Sequence, residues 1–195
     1  MAAMGARVTA VDFAEKFITI AKAKSPKEIK FQVADMTKSS DVKKLTGTKF
    51  DAAVCTMAFM DMENIQILIG FLPKLLKKSG VFVFSMCHPY FNSGEQMLVH
   101  ERDDVGGVIK DKYSVKMSNY LVEKSYLGVG IAGQPAAQYY FHRPLTTILG
   151  YFFHNGFVLD GYEEPSFKDK ENSARIFENV FKNMPPALVC RLRLK

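Results

Sequence analysis

Two aspartates stand where short apolar runs end: Asp12 after Val-Thr-Ala-Val, and Asp35 after Phe-Gln-Val-Ala. A carboxylate at the carboxyl tip of a parallel strand can accept hydrogen bonds from both hydroxyls of a ribose, and open α/β sheets bind ligands along that edge. An acidic group at the neighbouring tip can meet an adenine amino group, with Met36 against the ring. Either aspartate serves equally well as a cap or turn residue for the segment that follows it. A third apolar run, FDAAVCTM (50–57), leads into Ala58-Phe59-Met60, and a fourth, VFVFSM (81–86), leads into Cys87-His88-Pro89.

The elements that must position these groups follow from the pattern. Residues 6–11 read as a strand, and residues 14–24 as a helix with Phe17, Ile20 and Ala21 on one face. Pro26 stops that helix. Residues 29–34 form a second strand, and Ser39, Ser40 and Asp41 offer caps for a short helix to Leu45. Residues 50–57 form a third strand, and residues 64–78 a helix with Ile65, Ile69, Leu72 and Leu76 inward. Its expected stop is Lys-Lys-Ser-Gly80, with Gly80 as the glycine just past the helix end. Residues 81–86 are apolar on both faces, as a buried parallel strand is.

Strand alternating with helix predicts a Rossmann-like, doubly wound α/β fold with a mostly parallel sheet. The pattern breaks over residues 89–143, which are polar, Gly-rich and aromatic, with strands expected near 120–127 and 137–141. This stretch reads as an inserted lid. Regular structure resumes at Pro144, placed at the first helical position. The helix runs to Asn155, with Gly156 beyond its end. A strand over 157–162, a helix over 172–182 and a strand over 187–194 close the chain as an antiparallel edge hairpin. Two regions result: a core of residues 1–88 and 144–195, and the lid.

Composition narrows the function classes. The chain has 195 residues, a net charge of +6 and three cysteines. No apolar run approaches the roughly 20 residues of a membrane span, and the start lacks the features of a signal peptide, so a cytoplasmic protein is expected. The lysines are scattered, without a basic stripe interleaved with aromatics, which argues against nucleic acid as partner. Cys55, Cys87 and Cys190 each lie in an apolar run and read as reduced, packed thiols. Nothing in the spacing suggests a metal site.

Taken in order, ARVTAVDFAEKFITIAKAK, VADM, FDAAVCTMAFMDM and LPKLLKKSGVFVFSMCHP resemble the class I S-adenosylmethionine-dependent methyltransferases that act on small molecules. The later HRPLTTILGYFFHNGFVLDGYEEP is similar to the same family. The resemblance implies that Asp12 binds the ribose hydroxyls of S-adenosylmethionine with Phe13 beside the adenine. It implies that Asp35 and Met36 contact the base, and that Thr56, Met57 and Ala58 flank the methionine half. His88, Pro89 and Tyr90 would open toward a small-molecule acceptor.

The chemistry implied is in-line displacement at an activated methyl group, for which the protein mainly positions the partners. A base is needed only when the nucleophile must lose a proton, and His88, His142 and Glu101 are the candidates. Tyr90, Phe91, Tyr113, Tyr120, Tyr126, Tyr139 and Tyr140 make the lid dense in aromatics. They suit either a pocket for a planar acceptor or the lid's own small core. Arg143 suits an anionic substrate, a helix end or an ion pair.

One departure stands out. Family members carry a strand and a GxGxG-like loop ahead of the position of Asp12, whereas only Gly5 precedes Asp12 here. That strand is central in the family's sheet. Three outcomes are expected: the strands of Asp12 and Phe50 pair directly, a second chain completes the sheet as a homo-oligomer, or the sequence is truncated. The competing functional readings are a methyltransferase fragment that folds but binds cofactor weakly, and an NAD(P)-dependent oxidoreductase, since an acid after a strand fits that ribose too.

Overall fold

The computed structural model describes residues 1–94, 96–130, 133–167 and 175–195. After a 3-10 turn, Ala2–Met4, come β1 (Thr9–Asp12), α1 (Glu15–Lys24), β2 (Lys30–Val33), α2 (Ser39–Leu45) and β3 (Phe50–Thr56). A second 3-10 turn, Phe59–Asp61, leads into α3 (Ile65–Leu75) and β4 (Leu76–Cys87). Two hairpins follow, β5 (Gln96–Val105) with β6 (Val108–Met117), and β7 (Lys124–Gly128) with β8 (Gln138–His142). The chain closes with α4 (Leu145–His154), β9 (Phe157–Glu163), α5 (Ile176–Val180) and β10 (Ala187–Leu194).

The main sheet has the order β3-β4-β10-β9. β3 and β4 run parallel, and β10 is antiparallel to both β4 and β9. The alternating α/β pattern and the antiparallel edge hairpin therefore appear as expected. α3 buries Ile65, Leu68, Ile69, Leu72 and Leu75, a spacing of three and four that keeps one face inward. β4 turns Phe82, Phe84 and Met86 into the core, and β10 adds Leu188, Cys190 and Leu192. Phe59, Phe82, Phe84 and Phe152 form the centre, with Phe84 and Phe152 stacked at 5.5 Å between ring centroids.

The end of α3 corrects the sequence reading. The helix stops at Leu75, and Leu76 is already extended. Lys49 Nζ donates to the carbonyls of Pro73 and Leu76 at 3.0 and 3.1 Å, satisfying acceptors that the last turn leaves open. Residues 77–80 form an irregularity in the β3–β4 register, and the positive φ falls at Ser79 (61°), not at Gly80. Gly80 is needed for space instead, since a Cβ there would sit 2.8 Å from the Lys77 carbonyl oxygen. Pro144 is the N-cap of α4, one position earlier than expected, while Gly156 lies beyond the helix end with φ 82° as expected. The helix expected from Asn172 is described only as Ile176–Val180, its first residues lying outside the described ones.

β1 and β3 do not pair directly. β1 bonds only to β2, in parallel, and β3 only to β4, so each keeps an open ladder edge among the described residues. Asp51 in β3 is held below the usual carboxylate range chiefly by Lys77, with a smaller contribution from Arg7 just ahead of β1. The bases of the two strands therefore lie within electrostatic reach. Phe13, Phe17, Val33 and Val54 are all exposed around β1, α1, β2 and β3. Such apolar side chains beside unpaired strand edges are costly to leave uncovered.

Candidate active site

The carboxyl ends of β1, β2, β3 and β4 carry the residues singled out in the sequence. At the end of β1, Asp12 Oδ1 accepts a hydrogen bond of 2.7 Å from the Ala14 N–H, which organises the start of α1. Its second oxygen has no protein partner among the described residues, so one aspartate both closes the turn and keeps an acceptor for a ligand. Phe13, next to it, is 75% exposed.

Past β2, Asp35 is engaged on both oxygens. Oδ1 accepts from Thr37 N and Thr37 Oγ1 at 2.9 and 2.6 Å, and Oδ2 meets Lys38 at 3.2 Å. Burial works against ionisation there, but Thr37 and Lys38 together bring the carboxyl below 3.8. Asp35 thus holds a turn, and Met36 packs partly against the core.

Past β3, Thr56 is exposed and Ala58 half-buried. Met57 takes a positive φ of 50° while its N–H donates to Ser85 O at 2.8 Å. A non-glycine residue held in this region costs free energy, and such strain gathers at functional sites. The turn after it is rigid. Phe59 is fully buried, and the Arg143 guanidinium donates to the carbonyls of Phe59, Met62 and Glu63. Arg143 is 7% exposed. It therefore pins the loop after β3 to the start of α4, rather than standing free for an anion.

Arg143→Ala would leave three carbonyls without their charged donor and is expected to destabilise the fold by about 2–4 kcal/mol. Arg143→Lys recovers only part of that, because an ammonium lacks the planar fork. Urea denaturation of the two variants checks the order.

At the end of β4, His88 is buried with both ring nitrogens occupied. Nδ1 accepts from the Tyr90 N–H at 3.2 Å, which leaves Nε2 to donate to Glu164 Oε1 at 3.0 Å. Its ring lies 4.8 Å from that of Phe91. This network fixes the neutral tautomer and spends the lone pair that a base would use. Burial lowers the ring's pKa below 6.5 although Glu164 pulls the other way.

The consequence for stability has a definite sign. Below pH 6.5 the unfolded chain takes up the proton more readily than the folded one. The His88 contribution is therefore complete above 6.5 and is lost as pH falls toward the lower, folded value. Chemical denaturation from pH 7 to pH 5 is expected to show declining stability, with a shallower decline in His88→Gln.

His142, at the end of β8, donates from Nε2 to Tyr120 O at 2.7 Å, while its buried Nδ1 has no partner among the described residues. Tyr120 also accepts from Leu145 N at 2.8 Å, tying the lid to α4. His142 and Arg143 line an open cleft of about 710 Å³, together with Lys38, Glu63, Glu123 and Lys124. Tyr90 packs edge-on against Phe91 and Tyr120, and Tyr140 faces Tyr126 with ring centroids 5.6 Å apart. These aromatics thus pack chiefly against one another. Glu101 is exposed in the ladder between β5 and β6, opposite Lys112.

Asp61 is the residue that sequence reading missed. It ends the turn after β3, and Gln138 Nε2 of the lid donates to its Oδ1 at 3.1 Å. Partial desolvation raises its carboxyl above 3.8. Its charge in turn helps to raise Cys55, Cys87, Tyr126 and Tyr140, in which burial is the larger cause. Cys55 is pushed up to about 12, so the thiols stay protonated. The only signal in the sequence is an acid five residues beyond a strand end, set among methionines and phenylalanine.

Among the described residues no group of three or more His, Cys, Asp or Glu is arranged to hold a metal, and no helix is long and apolar enough to cross a membrane. The parallel β3 and β4, the helices packed on them and the antiparallel edge strands make an α/β fold of the class I methyltransferase type. The chain superimposes on an S-adenosylmethionine-dependent methyltransferase from Mesorhizobium loti with a TM-score of 0.69 and 23% identity, over 96% of this chain and 81% of that one. A putative S-adenosylmethionine-dependent methyltransferase from Listeria monocytogenes gives 0.70 and 19%, over 100% and 83%. The glycopeptide N-methyltransferase MtfA, complexed with S-adenosylmethionine, gives 0.60 and 10%, over 100% and 80%. No curated protein matches the chain in sequence.

Residues 1–84 match the family model described as a methyltransferase domain. The chain has the fold of the class I S-adenosylmethionine-dependent methyltransferases.

Proposed function

We propose that this chain transfers the methyl group of S-adenosylmethionine to a small-molecule acceptor. Residues 1–88 and 144–195 form the core, and residues 89–143 the lid. One observation carries the reading: Asp12, Met36 and the strained Met57 stand at or just past the carboxyl ends of β1, β2 and β3, with the β7–β8 hairpin folded against the turn after β3.

When bound, the cofactor supplies a methyl group already activated on a sulfonium. The residues present fit its nucleoside half. Asp12 offers its free oxygen to the ribose hydroxyls, Phe13 and Met36 lie on the adenine side, and the Asp35–Thr37 turn shapes that wall. Thr56, Met57 and Ala58 flank the methionine half. Tyr90 and Tyr140 sit on the acceptor side, where the lid limits water. His88 orients the loop after β4 through its two hydrogen bonds. His142 keeps an unpartnered lone pair at the hinge between lid and α4, and Arg143 holds the loop that carries Asp61.

Calorimetric titration of S-adenosylhomocysteine into the chain tests this. Saturable 1:1 binding supports it. An absence of binding to a folded chain removes it in favour of a second reading, a methyltransferase fold that associates but holds cofactor poorly. The open edges of β1 and β3 among the described residues favour that second reading. A second copy of the chain pairing along those edges would complete a continuous ladder, and sedimentation equilibrium measures whether it does.

A further inference from the structure

We infer that the cleft between the β7–β8 hairpin and the start of α3 binds a free α-amino acid with an apolar side chain. The carboxylate would lie on the α3 N-terminus and the ammonium on Glu63, Glu123 and His142. The cleft has a volume of about 710 Å³, ample for an amino acid and ordinary for a small-molecule site. Residues 37–38 and 63–66 form one wall, and residues 123–125 and 141–143 of the hairpin form the other. Among the described residues, Asp12, Met57, Tyr90 and Tyr140 do not line it, so the inference stands apart from the methyl-transfer reading.

Three features meet in this cleft. The first is the start of α3, a helix of 11 residues whose N-cap Asn64 makes no capping bond and whose first turn holds no acid. The N–H groups of that turn are left open, and a carboxylate suits them and the positive end of the helix. The second is a pair of exposed carboxylates, Glu63 and Glu123, which form no ion pair among the described residues. The third is His142, only 4% exposed. Its Nε2 donates to Tyr120 O, so the neutral ring carries its lone pair on Nδ1, the buried nitrogen without a partner among the described residues. Tyr120 stands outside the cleft, whereas His142 and its ladder partner Lys124 line it.

The charges select a zwitterion. Lys38, Lys124 and Arg143 line the cleft beside the two glutamates. A plain anion would meet the glutamates, and a plain cation would meet the basic side chains and the helix end. An amino acid sets each of its ends on the opposite charge, and its ammonium brings the N–H donors that two carboxylates and a lone pair accept. The hairpin supplies the apolar side. Phe141 lines the cleft, and next to it on the same face stand the paired Leu127 and Tyr139, 60% and 58% exposed.

L-Phenylalanine is the probe, with phenethylamine and 3-phenylpropanoate as counterparts that each keep one charged end. Binding is followed by ligand-observed NMR on the full chain at neutral pH, without cofactor. L-Phenylalanine is expected to bind at least about tenfold tighter than either counterpart. Glu123→Gln is expected to weaken L-phenylalanine and phenethylamine several-fold and to spare 3-phenylpropanoate. Asn64→Asp gives α3 a carboxylate of its own while keeping a good N-cap. It is expected to weaken L-phenylalanine and 3-phenylpropanoate and to spare phenethylamine. Both positions are exposed, and circular dichroism checks that the variants keep the fold. Equal binding of the three probes, no saturable binding of L-phenylalanine to the folded chain, or an unchanged affinity for it in either variant overturns the inference.

Discussion

Phe152→Ala is expected to lower the stability of the chain by about 3–5 kcal/mol, a large fraction of the 5–15 kcal/mol typical of a domain. Phe152 is fully buried on α4, one turn after buried Ile148. Its ring meets those of Phe59, Phe82, Phe84 and Phe157 at 6.3, 5.5, 5.5 and 5.7 Å. These rings come from the turn after β3, from β4 and from β9, so the cavity would open where the main sheet, the site turn and the post-lid helix meet. Close packing on every side leaves little room for collapse, which places the cost toward the upper end. The neighbouring Phe153 is 50% exposed, and Phe153→Ala should change stability by no more than about 0.5 kcal/mol. Denaturation with urea separates the two. A loss below about 1 kcal/mol at Phe152 would place α4 outside the cooperative core.

The second large effect falls on cofactor affinity. Asp12→Ala is expected to weaken S-adenosylhomocysteine binding by about a hundredfold, and Asp12→Asn by about tenfold, since hydrogen bonds to a charged group contribute roughly 1.5–3 kcal/mol. The two variants divide the roles of the side chain. Asparagine keeps an oxygen for the Ala14 N–H and so preserves the entry to α1, but loses the charge and one acceptor. Alanine loses both. Calorimetry gives the affinities, and circular dichroism checks that α1 persists. If Asp12→Asn binds as the parent chain does, Asp12 is only the turn residue that its 2.7 Å bond to Ala14 already makes it.

Much of the frame was legible because buried parallel strands leave continuous apolar runs, and β10 is found at residues 187–194 as read from its sequence. The hairpin of β5 and β6 was not foreseen. Most of β5 and of β6 is exposed, and Arg, Glu, Asp and Lys fill the facing positions toward the turn, so a period-two apolar signal is confined to Tyr113, Val115 and Met117. The available clue was Asp104-Val105-Gly106-Gly107, whose two glycines have φ 65° and 81° and close the turn. The end of α3 misled because Lys-Lys-Ser-Gly mimics a helix stop, whereas Leu76 is drawn into β4 by pairing with Phe50. At the site, Asp12 and Met57 could be placed from strand ends alone. The roles of Arg143 and Asp61 depend on contacts to residues about 80 positions away, which spacing along the chain does not encode.

The open edge of β1 also bears on how the molecule breathes. Before Asp35 only Ile18 and Ala34 are buried, and the ladder there is a single pair of four-residue strands. The β1–α1–β2 lobe can therefore open without disturbing the phenylalanine centre, as a separate low-energy unit with early amide exchange. A nucleoside bridging Asp12 and the end of β3 would have to quiet that unit first. Part of its binding energy would then go into ordering the lobe, and a strand laid against β1 would release that part to affinity.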